Sequence, residues 1–479
     1  MFFNSSYFLV FFTVVFLLYY SVPSRFRWVV LLVSSLVFYA FYSPLYLMVP
    51  LSISSITFLG GAAVSRSKGT VRRNYLVLTT GICLLTLFVF KYFNFFESNI
   101  GFLGNLFGAD IRFPAINLII PLGISFYIFQ SLSYVFEIFR KNIKTEKSFF
   151  RYCLFVLFFP LVLSGPIERA NRLLPQLRFY HRFEYGQVSF GLRLIAWGLF
   201  KKVVVADRLG VLVDQIYKLP QDYRGIPLIL ATFFFAYQLY LDFSGYSDMA
   251  RGIARVLGIK VINNFNFPYA SRSVSDFWRR WHISLSTYLN DYLYTPLALS
   301  WRSKGLVGIM GALIITFTLI GFWHGASWTY GIFGFLEAFA MSFEILTKKL
   351  RKKIFANFPS AIYSALALIA TFTFWLFSCI FFRANNISDS FYIITHLFSP
   401  MPISEITQKG LGLLGFDIAL GILGIAFVEA IQFFQRNGNL NAMFFKKPVL
   451  FRLTAYYLLV LAILFFGKFG PNQFIYFKF

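Results

Sequence analysis

GLVGIMGALIITFTLIGFW, residues 305–323, runs for nineteen residues without an ionisable side chain. At about 1.5 Å of rise per residue, a helix of that length covers about 28 Å, close to the hydrocarbon thickness of a bilayer. A second apolar run, 327–347, follows after a short turn at Gly325. Working outward, comparable stretches recur at 4–21, 27–43, 45–63, 75–92, 115–138, 148–165, 186–205, 226–243, 360–382, 411–434 and 449–467. They predict an all-α polytopic integral membrane protein, with about 11–13 transmembrane helices plus re-entrant and interfacial helices.

Composition agrees. Of the 479 residues 58% are hydrophobic, 21% aromatic and only 13% charged, where soluble domains carry about 25% charged residues. With no long polar segment between the runs, the chain reads as one membrane-embedded domain over 1–479. Peripheral N-terminal helices occupy 1–114, the core 115–384 and the C-terminal helices 385–479.

The 44 Lys and Arg against 19 Asp and Glu do not read as a nucleic-acid interface. They gather in short loops beside apolar runs, as at Arg66 to Arg73, Arg140 to Lys147 and Lys348 to Lys353, whereas the connector with Glu97 and Asp110 is poor in cations. Cations of this kind mark cytoplasmic loops and meet anionic headgroups. The alternation puts the amino terminus outward, and the first apolar run reads as a retained helix because Arg25 and Arg27 follow it and no basic leader precedes it. Cys83, Cys153 and Cys379 are odd in number, widely spaced and set in apolar segments, so they predict neither a disulfide framework nor a metal cluster.

Residues 166–304 depart from the pattern. Polar side chains are interleaved with aromatics and broken by Pro166, Pro175, Pro220, Pro227, Pro268 and Pro296. Irregular backbone at membrane depth is tolerated only where protein or a water-filled cavity satisfies its polar groups, so a cavity is expected here.

Ionisable side chains inside such segments are expensive and default to functional hypotheses. His324, in Gly321-Phe322-Trp323-His324-Gly325, lies between two apolar helices and suits either a general base working near neutral pH or an interfacial His with a satisfied hydrogen bond. His282 follows Ser273-Val274-Ser275-Asp276, which reads as a capped helix start. On one continuous helix Trp278, Trp281 and His282 would share a face, making His282 either a core residue or part of the chemistry. Asn290 could line the same cavity. Leu241-Asp242-Phe243-Ser244-Gly245-Tyr246-Ser247-Asp248 fits either a capped helix break or a polar cavity wall. Pro121 to Tyr127 reads as an interruption of a spanning helix, and Ser164 to Arg169 as the end of another. A phosphate-binding Gly loop, a Gly-x-Ser-x-Gly elbow and a His-Glu-x-x-His site are all missing from the sequence, which weighs against ATP-driven transport, serine-hydrolase and zinc chemistry.

Taken in order, Pro121 to Tyr127, Ser164 to Arg169, Asp242 to Asp248, Asn264 to Leu297 and Phe322 to Trp328 resemble the membrane-bound O-acyltransferases, specifically the bacterial branch of alginate O-acetyltransferase membrane subunits. The likeness runs from about residue 115 to Phe381-Phe382-Arg383-Ala384. It implies acyl transfer to a hydroxyl, with the family's catalytic His falling on His324 and its second signature His on His282. It also implies a tunnel, to whose wall Asn290, Asp242, Ser244, Trp323 and Trp281 are assigned. The donor it implies is an acyl thioester, acetyl-CoA or an acyl carrier protein, used as a co-substrate with no tightly bound cofactor or metal. The partners it implies are the lipid bilayer of a bacterial inner membrane, an exported SGNH-type acetyltransferase, and an acyl carrier protein where that is the donor. The acceptor would be an exopolysaccharide of the cell envelope. Two other readings compete: D-alanyl transfer towards teichoic acid in a sister branch, and a glycan or lipid exporter, which the lack of two-half symmetry disfavours.

Overall fold

Among the described residues eight helices are long and apolar enough to cross a bilayer: Leu45–Arg66, Gly69–Lys91, Ile226–Val256, Arg302–His324, Trp328–Leu346, Ser360–Arg383, Gly415–Asn437 and Val449–Phe466. Ser6–Ser21 and Ile124–Phe139 are shorter apolar helices. The computed structural model describes residues 1–108, 118–179, 181–438, 440–470 and 474–475, and every regular element among them is helical. Asp110 and the start of the expected 115–138 span lie outside the described residues. Helix 449–466 leaves Leu450, Leu453, Leu458, Leu461 and Leu464 exposed along its length. That surface is costly in water and at home in hydrocarbon, so the chain is a multi-pass membrane protein.

Several expected spans take other forms. Residues 27–43 give a helix of 14 residues, Arg27–Ala40. The 148–165 run is helical only over Phe149–Leu157, started by Ser148, whose side chain accepts from Arg151 N at 3.4 Å. Pro160 has no N–H and biases Phe159 away from the helical region, so the chain turns instead, with Leu161 N donating to Phe158 O at 2.8 Å. The 186–205 run is the helix Tyr185–Leu199, continued by a π-helical turn at Phe200–Ala206. Residues 166–304 hold short helices, among them Ala170–Arg178, Val274–Arg280, Ile283–Leu289 and Thr295–Ser300, as their prolines predict.

Of the two readings of Asp242 to Asp248, the capped helix break is not formed: Ile226–Val256 is unbroken over 31 residues. Its acids are accommodated by cations of the π-turn. Lys202 is paired with both Asp242 and Asp207, and Lys201 binds Asp248 at 2.6 Å and Ser244 Oγ at 3.0 Å.

By its internal contacts the chain divides into two compact units, residues 1–195 with 250–262, and residues 196–249 with 263–479. In the first, helix 45–66 packs on helix 124–139, where Gly61 meets the Tyr134 ring. The Tyr134 and Tyr152 rings lie 4.5 Å apart, and the Tyr152 hydroxyl donates to Thr57 Oγ1 at 2.7 Å. Pro121 to Gly123 leads into the helix Ile124–Phe139 here. Gly123 is left-handed at φ 75°, and a Cβ on it would stand 2.1 Å from Val162 O, so only glycine fits. The second unit carries the residues singled out for chemistry.

Candidate acyl-transfer site

His324 is the last residue of helix Arg302–His324, and three residues later Ser327 starts Trp328–Leu346, its hydroxyl accepting from Thr329 N at 3.4 Å. The two helices meet backbone to backbone. A Cβ on Gly321 would stand 2.1 Å from Tyr330 O, and one on Gly334 would stand 2.1 Å from Phe317 O. The missing side chains therefore bring the hairpin close enough to hold His324 rigidly at its tip. The imidazole is 3% exposed and contacts Trp323 and Phe382, each 5.0 Å between ring centres, with Phe333 at 6.3 Å.

His282 reaches the same place from a chain reversal. The expected helix starts as read, with Ser273 Oγ accepting from Asp276 N at 3.0 Å, but it ends at Arg280. Trp281 is extended, and His282 is left-handed at φ 44°, ψ 52°, before Ile283–Leu289 begins. The single helical face shared by Trp278, Trp281 and His282 is therefore not formed. Asn264 fixes the reversal, its carbonyl accepting from Ile283 N at 2.9 Å and its Oδ1 from Ser284 N at 3.1 Å. Asn264 also donates to Ser247 Oγ at 3.3 Å. The His282 ring, 0% exposed, lies 4.7 Å from Phe243 and 5.9 Å from Trp323. Trp323 thus touches both imidazoles, which brings the two predicted His residues together around one indole.

Burial lowers the His282 pKa from 6.5 to about 3, so the ring is neutral at physiological pH. A base depressed in the folded state contributes stability that is complete above about pH 6.5 and is lost as pH falls toward 3. The neutral isostere His282→Gln is expected to flatten that acid limb: its melting temperature in detergent should fall less between pH 7 and pH 5 than that of wild type, by roughly a few degrees. Identical pH dependence of melting in the two proteins would show that His282 is not held neutral by its surroundings.

Two acids that the motifs above do not include anchor this region. Glu337 accepts from Trp278 Nε1 at 2.8 Å and from Ser378 Oγ at 2.8 Å. Glu344, two turns on, accepts from Val274 N at 2.6 Å and Ser275 N at 3.1 Å, placing a carboxylate at the start of Val274–Arg280. A sequence signal exists for them, because both are acids within the apolar run 327–347.

The remaining residues assigned to a tunnel wall divide. Asn290 opens the π-turn Asn290–Tyr294 and lines a cavity of about 490 Å³ with Ser275, Arg279 and Thr316. Ile283, next to His282, and Ile320, one turn before His324, are in the same wall. Trp281 is instead packed in an aromatic core, 4.9 Å from Trp375 and 5.1 Å from Phe265. Asp242 and Ser244 belong to the lysine network and not to the cavity wall. They are held there because a buried carboxylate needs a cation, and Lys202 supplies it. Phe243, between them, is the residue that meets His282. The network is closed by Phe474, whose ring lies 4.5 Å from Lys202 Nζ, and by Ile475 N, which donates to Asp242 Oδ2 at 2.8 Å.

Residues 34–386 match the sequence model of MBOAT, the membrane-bound O-acyltransferase family. The chain belongs to that family and is an acyltransferase. Among its relatives is a probable alginate O-acetylase, AlgI, of Pseudomonas aeruginosa, 34% identical over 443 residues that cover 91% of this chain and 82% of the relative. The peptidoglycan O-acetyltransferase of Helicobacter pylori is 34% identical over 396 residues, 77% of this chain and 72% of that protein. A teichoic acid D-alanyltransferase of Bacillus subtilis is 31% identical over 283 residues, 57% of this chain and 71% of the relative.

Proposed function

We propose that the protein moves an acetyl group from a cytoplasmic thioester, acetyl-CoA or an acyl carrier protein, toward hydroxyls of an extracytoplasmic polysaccharide. In this reading it sits in a bacterial inner membrane with its amino terminus outward and passes the acetyl group to an SGNH-type partner. The observation that carries the proposal is the sealed His324 imidazole at the tip of a glycine-locked hairpin, sharing one indole with a second, neutral His. His324 takes the proton of the acceptor hydroxyl as its oxygen attacks the thioester carbonyl, and the thiolate leaves and is reprotonated. The aromatic packing around the ring keeps out the water that would otherwise hydrolyse the donor. His282, packed against the same indole, orients the substrate or supports the developing charge.

Acetyl is favoured over D-alanyl because the likeness to the acetylase spans 91% of the chain and that to the D-alanyltransferase 57%. Mild alkaline release from envelope glycans of cells with and without the protein tests this choice. Acetate should disappear with the protein and return on complementation. Loss of released D-alanine, with acetate unchanged, would assign the protein to the other chemistry.

A further inference from the structure

A second cavity of about 290 Å³ lies in the same unit, walled by Tyr237, Tyr269 and Phe372 on one side and by Glu429, Gln432 and Arg436 on the other. None of these residues lines the Asn290 cavity. The aromatic side is rigid, with Tyr237 to Tyr269 at 5.0 Å and Tyr269 to Phe372 at 5.1 Å, and the Tyr269 hydroxyl is tied to Ala236 O at 2.6 Å. The charged side comes from one face of helix Gly415–Asn437, since residues 429, 432 and 436 are three and four apart. Glu429 is hydrogen-bonded by Tyr237, while its Oε1 is buried and takes no hydrogen bond among the described residues. Gln432 Oε1 is held by the Tyr240 hydroxyl at 3.1 Å.

This lining sorts charge by depth. Arg436 is next to the end of its helix and is exposed, as the cation of a membrane-interface residue should be. Glu429 lies seven residues earlier, about 10 Å further into the helix, with aromatic faces opposite. A carboxylate among aromatic rings suits an ammonium group, and an interfacial guanidinium suits a phosphodiester. The mouth opens onto lipid-facing surface, because Phe433, also in the wall, is 54% exposed and is continued by Phe434 on its own helix and by Ile369 on helix Ser360–Arg383, both exposed.

We infer that this cavity binds the headgroup of a phospholipid that carries an ammonium beside its phosphate, the ammonium against Glu429 and the Tyr237, Tyr269 and Phe372 faces, the phosphate at Arg436, and the acyl chains along Phe433. The site is separate from the acyl-transfer centre, and it stands whether or not the polysaccharide reading above is correct.

The test uses the full chain, purified in mild detergent and mixed with equal amounts of phosphatidylethanolamine and phosphatidylglycerol, with retained lipid counted by native mass spectrometry. Phosphatidylethanolamine should be retained about tenfold over phosphatidylglycerol, which has the phosphodiester but no ammonium. Glu429→Gln should remove the preference, and Arg436→Gln, at an exposed position that leaves folding intact, should weaken retention of both lipids. Equal retention of the two lipids by wild type, or a preference unchanged in Glu429→Gln, overturns the proposal; if Glu429→Gln does not fold, unchanged retention in Arg436→Gln does so. Chain-free glycerophosphoethanolamine should displace the bound lipid. If it fails to compete at any concentration, the acyl chains alone are being held and there is no headgroup site.

Discussion

Membranes carrying His324→Ala are expected to transfer acyl groups about 10²- to 10⁴-fold more slowly than wild type, the usual contribution of a positioned general base. The loss should appear in kcat, because the ring acts on the acceptor proton in the transition state and its removal leaves the Asn290 cavity intact. Folding should be preserved. His324 ends its helix, and the hairpin that carries it is held by the contacts of Gly321 and Gly334 and not by the imidazole. Size-exclusion of the detergent-solubilised variant provides that control, and His324→Gln, which keeps the shape and polarity but not the basicity, should be as inactive as the Ala variant. Transfer at wild-type rate by either variant, with normal elution, would remove His324 from the mechanism.

Lys202→Met should have the largest effect on stability. Lys202 faces Asp207 at 2.8 Å and is paired with Asp242, all three nearly inaccessible. Removing the cation leaves two carboxylates buried side by side, and breaking a buried pair from one side costs about 3–5 kcal/mol. The melting temperature in detergent should fall sharply, and adding Asp242→Asn should restore part of it, since the two changes share one interaction and cannot be additive. A Lys202→Met protein that melts with wild type, or a double variant whose losses simply sum, would mean that these ions contribute no mutual stabilisation.

The long helices are legible because their signal is local: an unbroken apolar run of about twenty residues fits little besides a membrane-crossing helix, and 305–323 and 360–382 keep nearly the expected bounds. The errors lie where the deciding partner is distant in sequence. Asp242 and Asp248 fit a helix break as well as a cavity wall because the lysines that neutralise them stand about forty residues earlier, inside the apolar run 186–205. Two consecutive lysines in that run are the available clue. His324 is legible from its own surroundings, an imidazole between apolar helices flanked by glycines. The conformation of His282 is not, because left-handed backbone at a non-glycine residue is imposed by Asn264 and leaves no mark in composition. Glu337 and Glu344 carry the same intramembrane-charge signal as His324, and only the fold shows that they hold Trp278 and its helix in place.

Phe474 and Ile475 follow the eight long helices described above in the chain, yet they close the charge cluster around Lys202 and Asp242. During synthesis Asp242 therefore spends time without one of its donors, and the lysine without its aromatic cover. Helix 226–256, which carries Phe243 against His282, gains one further tie through Ile475 N when this distal segment docks. A change at Phe474 or Ile475 would therefore be felt about 230 residues earlier in the chain, at the carboxylate of Asp242.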